Sequence, residues 1–308
     1  MNRGLSSVTL FAAVALIASL ASGQDVKRPR ITGVAHTAFY AHDIERSRTF
    51  YSGLLGFQEP YSLKNPDGSL SVAFFKINDH QYVELLPETQ ANTDRLVRIA
   101  LETDNAEQLR KYLASRGVQV PGRVTKNRIG NTSFTVTDPD NHIVEFVQYE
   151  PSGLSMRGNG KFMDDRRTST HLSHVGIIVY ALEPAMKFYR DILGCQEIWR
   201  GSSNQKTLSW VNMKVPDGDN WVEFMLYDQF PDLRQLGVLN HIGMEETDVG
   251  KSAAVFEASP ARKIYTRQVE LRGTPPRQFQ VYDPDGTRTE IMAPAAPGRV
   301  SSTAPPIR

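Results

Sequence analysis

Four side chains that could hold a metal ion recur in the second half of the chain. His174 and Glu223 lie in the first and last predicted strands of one segment, and His241 and Glu290 hold the same places in the next. If the two segments pair with approximate two-fold symmetry, these side chains meet at one point inside a curved sheet. Two imidazole nitrogens and two carboxylate oxygens suit a divalent ion such as Zn²⁺, Fe²⁺, Mn²⁺, Ni²⁺ or Co²⁺. The pattern therefore predicts a metal site with open positions for water or substrate.

These residues belong to a longer internal repeat. The sequence FYSGLLGFQE beginning at Phe50 returns as FYRDILGCQE beginning at Phe188. His36 precedes the first copy at the same distance at which His174 precedes the second, and both halves end in an Asp-Pro-Asp turn followed by a glutamate. A repeat that keeps its order and spacing indicates two copies of one domain.

Each half contains the order β-α-β-β-β twice. The first half opens with a predicted strand at Ile31–Tyr40 and a helix at Asp43–Leu55, which Asp43 can cap and Gly56 can end. A second module follows, with a strand at Leu96–Thr103, a helix at Ala106–Arg116 and further strands that include Val118–Val120. In the second half the predicted strands that carry the four candidate ligands are His174–Tyr180, Trp221–Leu226, Leu239–Glu245 and Thr287–Met292. The expected fold class is α+β, with each half a pair of βαβββ modules.

The chain of 308 residues is long enough for two domains, each with its own core. We expect a signal peptide at residues 1–23, domains at residues 31–150 and 169–293, a solvated linker at residues 151–168 and a disordered tail at residues 294–308. Cys195 is the only cysteine, so the domains must be stable without an internal disulfide.

The first residues are typical of an export signal. Arg3 is followed by an apolar run at Leu10–Leu20 and by small residues that form a cleavage site. We therefore expect a periplasmic or secreted protein that has no membrane contact after cleavage. The 35 basic and 34 acidic residues give a net charge of +1, which provides no electrostatic basis for nucleic-acid binding. The expected partner is a small-molecule substrate, and the expected state is a monomer or a homodimer.

The sequence resembles the vicinal oxygen chelate superfamily, the glyoxalase, bleomycin-resistance and extradiol-dioxygenase group. The resemblance covers Ile31–Tyr149 and His171–Met292 and rests on two motifs, H-x₁₃-F-Y-x₃-L-G and D-P-D-x₄-E, each present in both halves. It implies two tandem glyoxalase-like domains, each a cup-shaped mixed sheet. In this family the metal ligands come from the first and last strands of paired modules, which here implies the ligands His174, Glu223, His241 and Glu290. By the same resemblance, Glu223 or Glu290 could leave the metal and act as the catalytic base.

The first half departs from the ligand pattern at one position. His36, Glu84 and Glu145 match, but Arg98 stands where the second half has His241. A guanidinium has no lone pair to donate to a metal and would instead pair with Glu84 or Glu145 in the place of the cation. We expect the first domain to be a non-catalytic partner with a degenerate metal site, with a three-ligand metal site or a ligand pocket as alternatives.

Three functions fit the sequence. The favoured one is a metal-dependent lyase or isomerase of the glyoxalase type, acting on a small molecule with adjacent oxygens. The second is an extradiol Fe²⁺ dioxygenase with a triad of His174, His241 and Glu290; the additional carboxylate of Glu223 argues against it. The third is a non-catalytic binding protein that resembles the bleomycin-resistance proteins. Trp210 and Trp221 could line a substrate pocket or fill a packing layer, and the sequence leaves both open.

Overall fold

The computed structural model describes residues 26–227, 229, 231–232, 239–264, 269–273, 275 and 277–294. The predicted signal peptide at residues 1–23 and all but the first residue of the predicted tail lie outside the described residues. In the part of the chain that is described, none of the helices has the length and apolar character needed to cross a bilayer.

The described chain forms two curved mixed sheets, one in each half, as the repeat predicts. The first domain contains β1 (Ile31–Ala41), β2 (Gln58–Lys64), β3 (Leu70–Lys76), β4 (Tyr82–Pro87), β5 (Leu96–Thr103), β6 (Thr125–Lys126), β7 (Thr132–Thr137) and β8 (Ile143–Gln148). Its helices are α1 (Ile44–Arg48), which continues as a π-helical segment over Thr49–Leu54, and α2 (Ala106–Ser115). A short helix, α3 (Leu154–Arg157), follows the last strand.

The second domain repeats this arrangement. Its strands are β9 (His171–Val179), β10 (Gln196–Gly201), β11 (Trp210–Lys214), β12 (Trp221–Leu226), β13 (His241–Glu245), β14 (Gln278–Tyr282) and β15 (Arg288–Met292). Its helices are α4 (Leu182–Met186), which continues as a π-helical segment over Lys187–Ile192, α5 (Val249–Ala258) and a 3₁₀ turn at Pro260–Ile264.

Local sequence accounts for the helix boundaries. The Asp43 carboxylate accepts hydrogen bonds from the backbone N–H groups of Glu45 and Arg46 and so caps α1. Gly56, with φ of 76°, ends the π-helical segment that follows, and Gly194, with φ of 83°, does the same in the second domain. The repeated Leu-Gly pair is therefore the helix stop that the sequence predicts.

The two modules of each domain meet at a central antiparallel pair of strands. The order of the first sheet is β2-β3-β4-β1-β5-β8-β7-β6, and that of the second is β10-β11-β12-β9-β13-β15-β14. The first strand of every module pairs in parallel with the last strand of its own module. Because side chains alternate between the faces of a strand, one residue from each of these four strands points into the cup while its neighbours pack on the helices.

One predicted strand is absent from the structure. Val118–Val120 forms no ladder; both valines instead pack against the hydrophobic core as the chain leaves α2, and Pro121 next to them has no N–H to donate. The strand in this region is the two-residue β6, which pairs with β7.

The segment that joins the domains is more ordered than its polar composition indicates. Ser155 is buried and accepts a hydrogen bond from Asn131 Nδ2 at 3.1 Å. The ammonium group of the fully buried Lys76 donates to the carbonyls of Gly158 and Lys161, at 2.5 and 2.8 Å. Residues 151–168 thus pack on the first domain, because backbone carbonyls of this segment solvate a lysine that no water reaches.

Reciprocal contacts join the domains. Tyr51 OH donates to Asp283 Oδ2 at 3.2 Å, and Tyr189 OH donates to Asp138 Oδ2 at 2.9 Å. Each hydrogen bond links the helix of one domain to the Asp-Pro-Asp turn of the other. The second aspartate of each turn also crosses, since Asp140 accepts from the backbone of Tyr180, and Asp285 accepts from that of His42. The repeated turns therefore hold the two domains together.

Candidate metal centre

The four predicted ligands of the second domain project from four strands to one point on the concave face. Their ligand atoms all lie within 4.8 Å of one another. His241 Nε2 is 3.2 Å from both His174 Nε2 and Glu223 Oε2. Glu290 Oε2 is 3.9 Å from His174 Nε2 and 3.8 Å from His241 Nε2. The structure thus brings together His174, Glu223, His241 and Glu290, which come from β9, β12, β13 and β15.

Two glycines make room for the imidazoles, and sequence reasoning missed both. Gly176 pairs with His241, and Gly243 pairs with His174, across the central strands. A β-carbon on either glycine would lie 1.9 Å from the Cε1 atom of the facing imidazole. In the first domain Ala38 faces Arg98 and Ala100 faces His36, so the repeat has glycine at both positions only in the half that carries the four candidate ligands.

Contacts behind the rings direct the Nε2 atoms to the centre. His174 Nδ1 lies 3.1 Å from Ser173 Oγ, and His241 Nδ1 lies 3.0 Å from the carbonyl oxygen of Leu239. Arg288 Nη2 is 2.7 Å from the same His241 nitrogen. A guanidinium only donates, so this contact and the Leu239 bond require different tautomers. The tautomer that donates to Leu239 leaves the Nε2 lone pair free for a metal.

Burial and charge prepare the centre for a cation. Burial lowers the pKa of His174 to about 4, so this imidazole is neutral near pH 7. Burial opposes ionisation of Glu223, but the hydrogen bond to His241 and the nearby imidazoles lower its pKa. Arg288 supplies one positive charge, with its Nε 3.6 Å from Glu290 Oε1. Two imidazole nitrogens beside two carboxyl groups fit a divalent ion, whose two positive charges would balance the charge of two carboxylates.

The carboxyl group of Glu290 is held by a residue that the sequence did not single out. Gln280 Nε2 donates to Glu290 Oε1 at 2.9 Å, and Tyr282 OH donates to Gln280 Oε1 at 3.0 Å. Among the described residues, the polar contacts of Glu223 are with His174 and His241. Glu290 is therefore held by a side chain outside the cluster of four, whereas the polar contacts of Glu223 lie within the cluster.

A cavity of about 340 Å³ opens above the centre and is walled by all three tryptophans of the chain. Trp221 stacks on His174 with 4.9 Å between ring centroids, and Trp199 stacks on Trp210 at 6.4 Å. Trp210 and Trp221 thus line a pocket, which answers the question that the sequence left open. Within the described chain, Trp221 Nε1 and Asn212 Oδ1 form no hydrogen bond although both atoms are buried.

In the first domain a guanidinium takes the place of the cation. Arg98 pairs with Glu84 through Nη2 and with Glu145 through Nε, the latter at 2.9 Å. His36 Nε2 lies 3.2 Å from Glu145 Oε2 and 3.4 Å from Glu84 Oε1. Burial opposes ionisation of Glu145, but the hydrogen bond to His36 and the charge of Arg98 lower its pKa to about 2. These are the ion pairs that the sequence predicts for Arg98.

The comparisons with known proteins agree with this architecture. The family model for the Glyoxalase/Bleomycin resistance protein/Dioxygenase superfamily matches residues 33–146 and 171–291, more than half of the chain. The chain therefore belongs to this superfamily, and its two domains are two copies of the superfamily's fold.

Individual relatives are more distant. A lactoylglutathione lyase from Salmonella typhimurium is 26% identical over 129 residues, which are 39% of this chain and 96% of that enzyme. The structure of an extradiol ring-cleaving dioxygenase from B. fuscum is 17% identical in sequence, with a TM-score of 0.62. The match covers 91% of this chain and 76% of the dioxygenase chain. A Mn(II)-bound glyoxalase from Novosphingobium aromaticivorans is also 17% identical, with a TM-score of 0.63 and coverages of 86% and 83%. At such identities the solved structures show a shared fold, and the reaction must be argued from the site.

Proposed function

We propose that this protein is a divalent-metal-dependent enzyme of the glyoxalase type, a lyase or isomerase that acts on a small molecule with adjacent oxygens. The observation that carries the proposal is the convergence of two imidazole and two carboxylate groups within 4.8 Å at the floor of a cavity. The ligands would be His174, Glu223, His241 and Glu290. Superfamily membership and the Mn(II)-bound glyoxalase among the structural neighbours add support.

The residues of the cavity would have different roles in the proposed reaction. A divalent cation held at the centre would polarise a substrate carbonyl and stabilise the negative charge that develops when the adjacent carbon loses a proton. Glu223 is the better placed of the two carboxylates to accept that proton, because Gln280 holds Glu290 in place. The tryptophans exclude water from the reacting atoms, and Arg288 lies close enough to attract an anionic substrate oxygen.

Metal content tests the ligand set directly. Purified protein should contain about one divalent ion per chain, and His241→Ala should lose most of it. His36→Ala is the matched control, since His36 has the same place in the first domain, and this variant should keep the ion. A wild-type protein without bound metal, or equal binding by His241→Ala, overturns the proposal.

The base is tested by exchange of substrate protons with solvent. With a panel of α-hydroxyketones and hemithioacetals in D₂O, the metal-loaded enzyme should incorporate deuterium at the carbon next to the carbonyl. Glu223→Gln should slow exchange by at least about 100-fold, the typical share of a general base. If Glu223→Gln exchanges protons as fast as the wild type, the catalytic base would be Glu290.

An extradiol dioxygenase is the second candidate. The specific observation in its favour is the two-domain layout: among the described residues the ligand cluster lies in the second domain, and the chain covers 76% of a ring-cleaving dioxygenase with the same fold. Glu223 argues against it, because a fourth protein ligand takes a position that catechol and O₂ would need. Oxygen uptake by Fe²⁺-loaded protein with a catechol panel separates the two candidates.

The third candidate function is non-catalytic binding of a small molecule. It predicts ligand-induced stabilisation that does not depend on metal.

Export is proposed on the sequence of residues 1–23 alone. Sequencing the amino terminus of the mature protein from fractionated cells should find Gln24 as the first residue, in the periplasm or the medium. An intact Met1 in the cytosolic fraction overturns this proposal.

A further inference from the structure

The first domain has a cavity of its own, in the cup that faces away from its helices. Its volume is about 520 Å³, larger than that of the cavity above the candidate metal centre and within the range of small-molecule sites. Its walls are largely apolar and come from four strands and a turn: Leu63, Val72, Phe74, Val97, Ile129 and Ile143. Ile143 is 43% exposed, so apolar surface here faces solvent.

The floor of this cavity is an ion cluster that leaves one group available to a ligand. The side chains of Glu84 and Glu145 are 3% and 9% exposed, and both are paired with Arg98, whose side chain is 21% exposed. Arg98 uses Nη2 and Nε in these pairs, and the structure gives its Nη1 no partner among the described residues. The floor thus presents the N–H donors of one guanidinium, and no cation can enter unless Arg98 leaves.

The mouth of the cavity is positively charged. Lys126 is exposed there, and Arg128 is held in place by a hydrogen bond of 3.0 Å from its Nη1 to Ser71 Oγ. Among the described residues that line the cavity, the acidic ones are Glu84 and Glu145, and Arg98 already neutralises one of their two charges. An anionic group at the mouth would therefore meet two cations at the surface, while the carboxylates of the floor are paired with Arg98.

We propose that this cavity is a second, metal-independent binding site for a small amphipathic organic acid. The apolar body lies against the aliphatic walls, a carbonyl or hydroxyl oxygen accepts a hydrogen bond from Arg98 Nη1, and the acid group pairs with Lys126 and Arg128. The site uses none of the residues assigned to the proposed reaction, so each proposal can be tested independently of the other.

Fluorescent probes test this site in the metal-free full chain. 1-Anilinonaphthalene-8-sulfonate has an apolar body and one anionic group, and N-phenyl-1-naphthylamine is a matched probe without the sulfonate. Both should bind with about one equivalent per chain and a blue shift in emission. The double variant Lys126→Glu and Arg128→Glu reverses both charges. It should lower the affinity for the sulfonate probe by about tenfold and change the affinity for the neutral probe by less than about twofold.

Cavity-filling variants locate the probe. Thr135 is exposed on the cavity wall, and Gln280 holds the same position in the second domain. Thr135→Trp should abolish binding of both probes, and Gln280→Trp should leave it unchanged. Ile143→Trp, also at an exposed position, gives an independent block in case Thr135→Trp does not fold, as judged by circular dichroism. The proposal is overturned if the wild type binds neither probe, or if binding is lost in Gln280→Trp alone. It is also overturned if the charge reversal affects both probes equally.

Discussion

Gly243 lies directly opposite His174 in the central antiparallel pair of the second sheet, and a β-carbon there would lie 1.9 Å from the imidazole Cε1. The imidazole thus occupies the volume that any other residue would fill with its side chain. Neither Gly243 nor Gly176, the matching residue opposite His241, has a positive φ, so the close approach of the ring accounts for glycine at both positions.

Gly243→Ala should weaken metal binding without unfolding the protein. The added methyl group must push His174 away from the other ligands, and a displaced ligand typically costs about 10- to 100-fold in metal affinity. Calorimetric titration of metal-free protein with Mn²⁺ measures the change. Gly250→Ala is the control, because its β-carbon meets no atom closer than 3.8 Å. Unchanged affinity in Gly243→Ala would contradict the packing argument.

Arg98→His combined with Ala38→Gly should create a second metal site. The first domain already holds His36, Glu84 and Glu145 around the guanidinium, and Ala38 pairs with residue 98 across the strands. The glycine gives the new imidazole the room that Gly176 gives His241. Elemental analysis should find about one more ion per chain. Arg98→Leu with Ala38→Gly, which removes the charge and adds no ligand, should gain none.

Metal removal should be visible in tryptophan fluorescence. All three tryptophans line the cavity of the second domain, and Trp221 stacks on His174. Binding of Ni²⁺ or Cu²⁺ should therefore quench the emission, and a chelator should restore it. His241→Ala should lose this response at low metal concentration. Quenching that persists in this variant would place the ion elsewhere.

Stability should depend on pH through Asp283. Burial, and then the charge of Asp285, raises the pKa of Asp283 from 3.8 to about 7. The folded protein therefore binds this proton more tightly than the unfolded chain, and the free energy of unfolding falls as pH rises from about 4 to about 7. The slope from this group is at most about 1.4 kcal/mol per pH unit.

Urea unfolding at pH 5 and pH 7 measures the effect. Asp283→Asn, which is neutral at both values, should reduce the loss of stability between them. Asp138→Asn is the comparison variant, because Asp138 has the same place in the first domain but lies 2.9 Å from the His142 imidazole, where the second domain has Thr287. Equal pH dependence in wild type and Asp283→Asn would contradict the assignment.

The sequence predicted the features that its internal repeat makes visible. The repeat placed His174, Glu223, His241 and Glu290 on equivalent strands, and it exposed Arg98 as the one departure in the first half. Once two modules pair, strand periodicity alone brings such positions to one face. The convergence of the four side chains and the ion pairs of Arg98 could therefore be predicted without coordinates.

Features that depend on contacts between distant segments could not be predicted in this way. Single-sequence patterns do not show that Gly243 faces His174, that Tyr51 reaches Asp283, or that Gln280 holds Glu290. Composition also does not show that carbonyls of the segment between the domains accept hydrogen bonds from the buried Lys76. Val118–Val120 has the composition of a strand, but these residues pack as a loop against the core.

The crossed Tyr51–Asp283 and Tyr189–Asp138 hydrogen bonds have the form of an isologous dimer contact, in which each half offers the other the same pair of groups. In a true homodimer any substitution would appear in both copies at once. Joining the halves in one chain removes that constraint. One copy can then keep an imidazole at position 241 while its twin carries a guanidinium at position 98, so the duplicated fold has two cups that need not perform the same task.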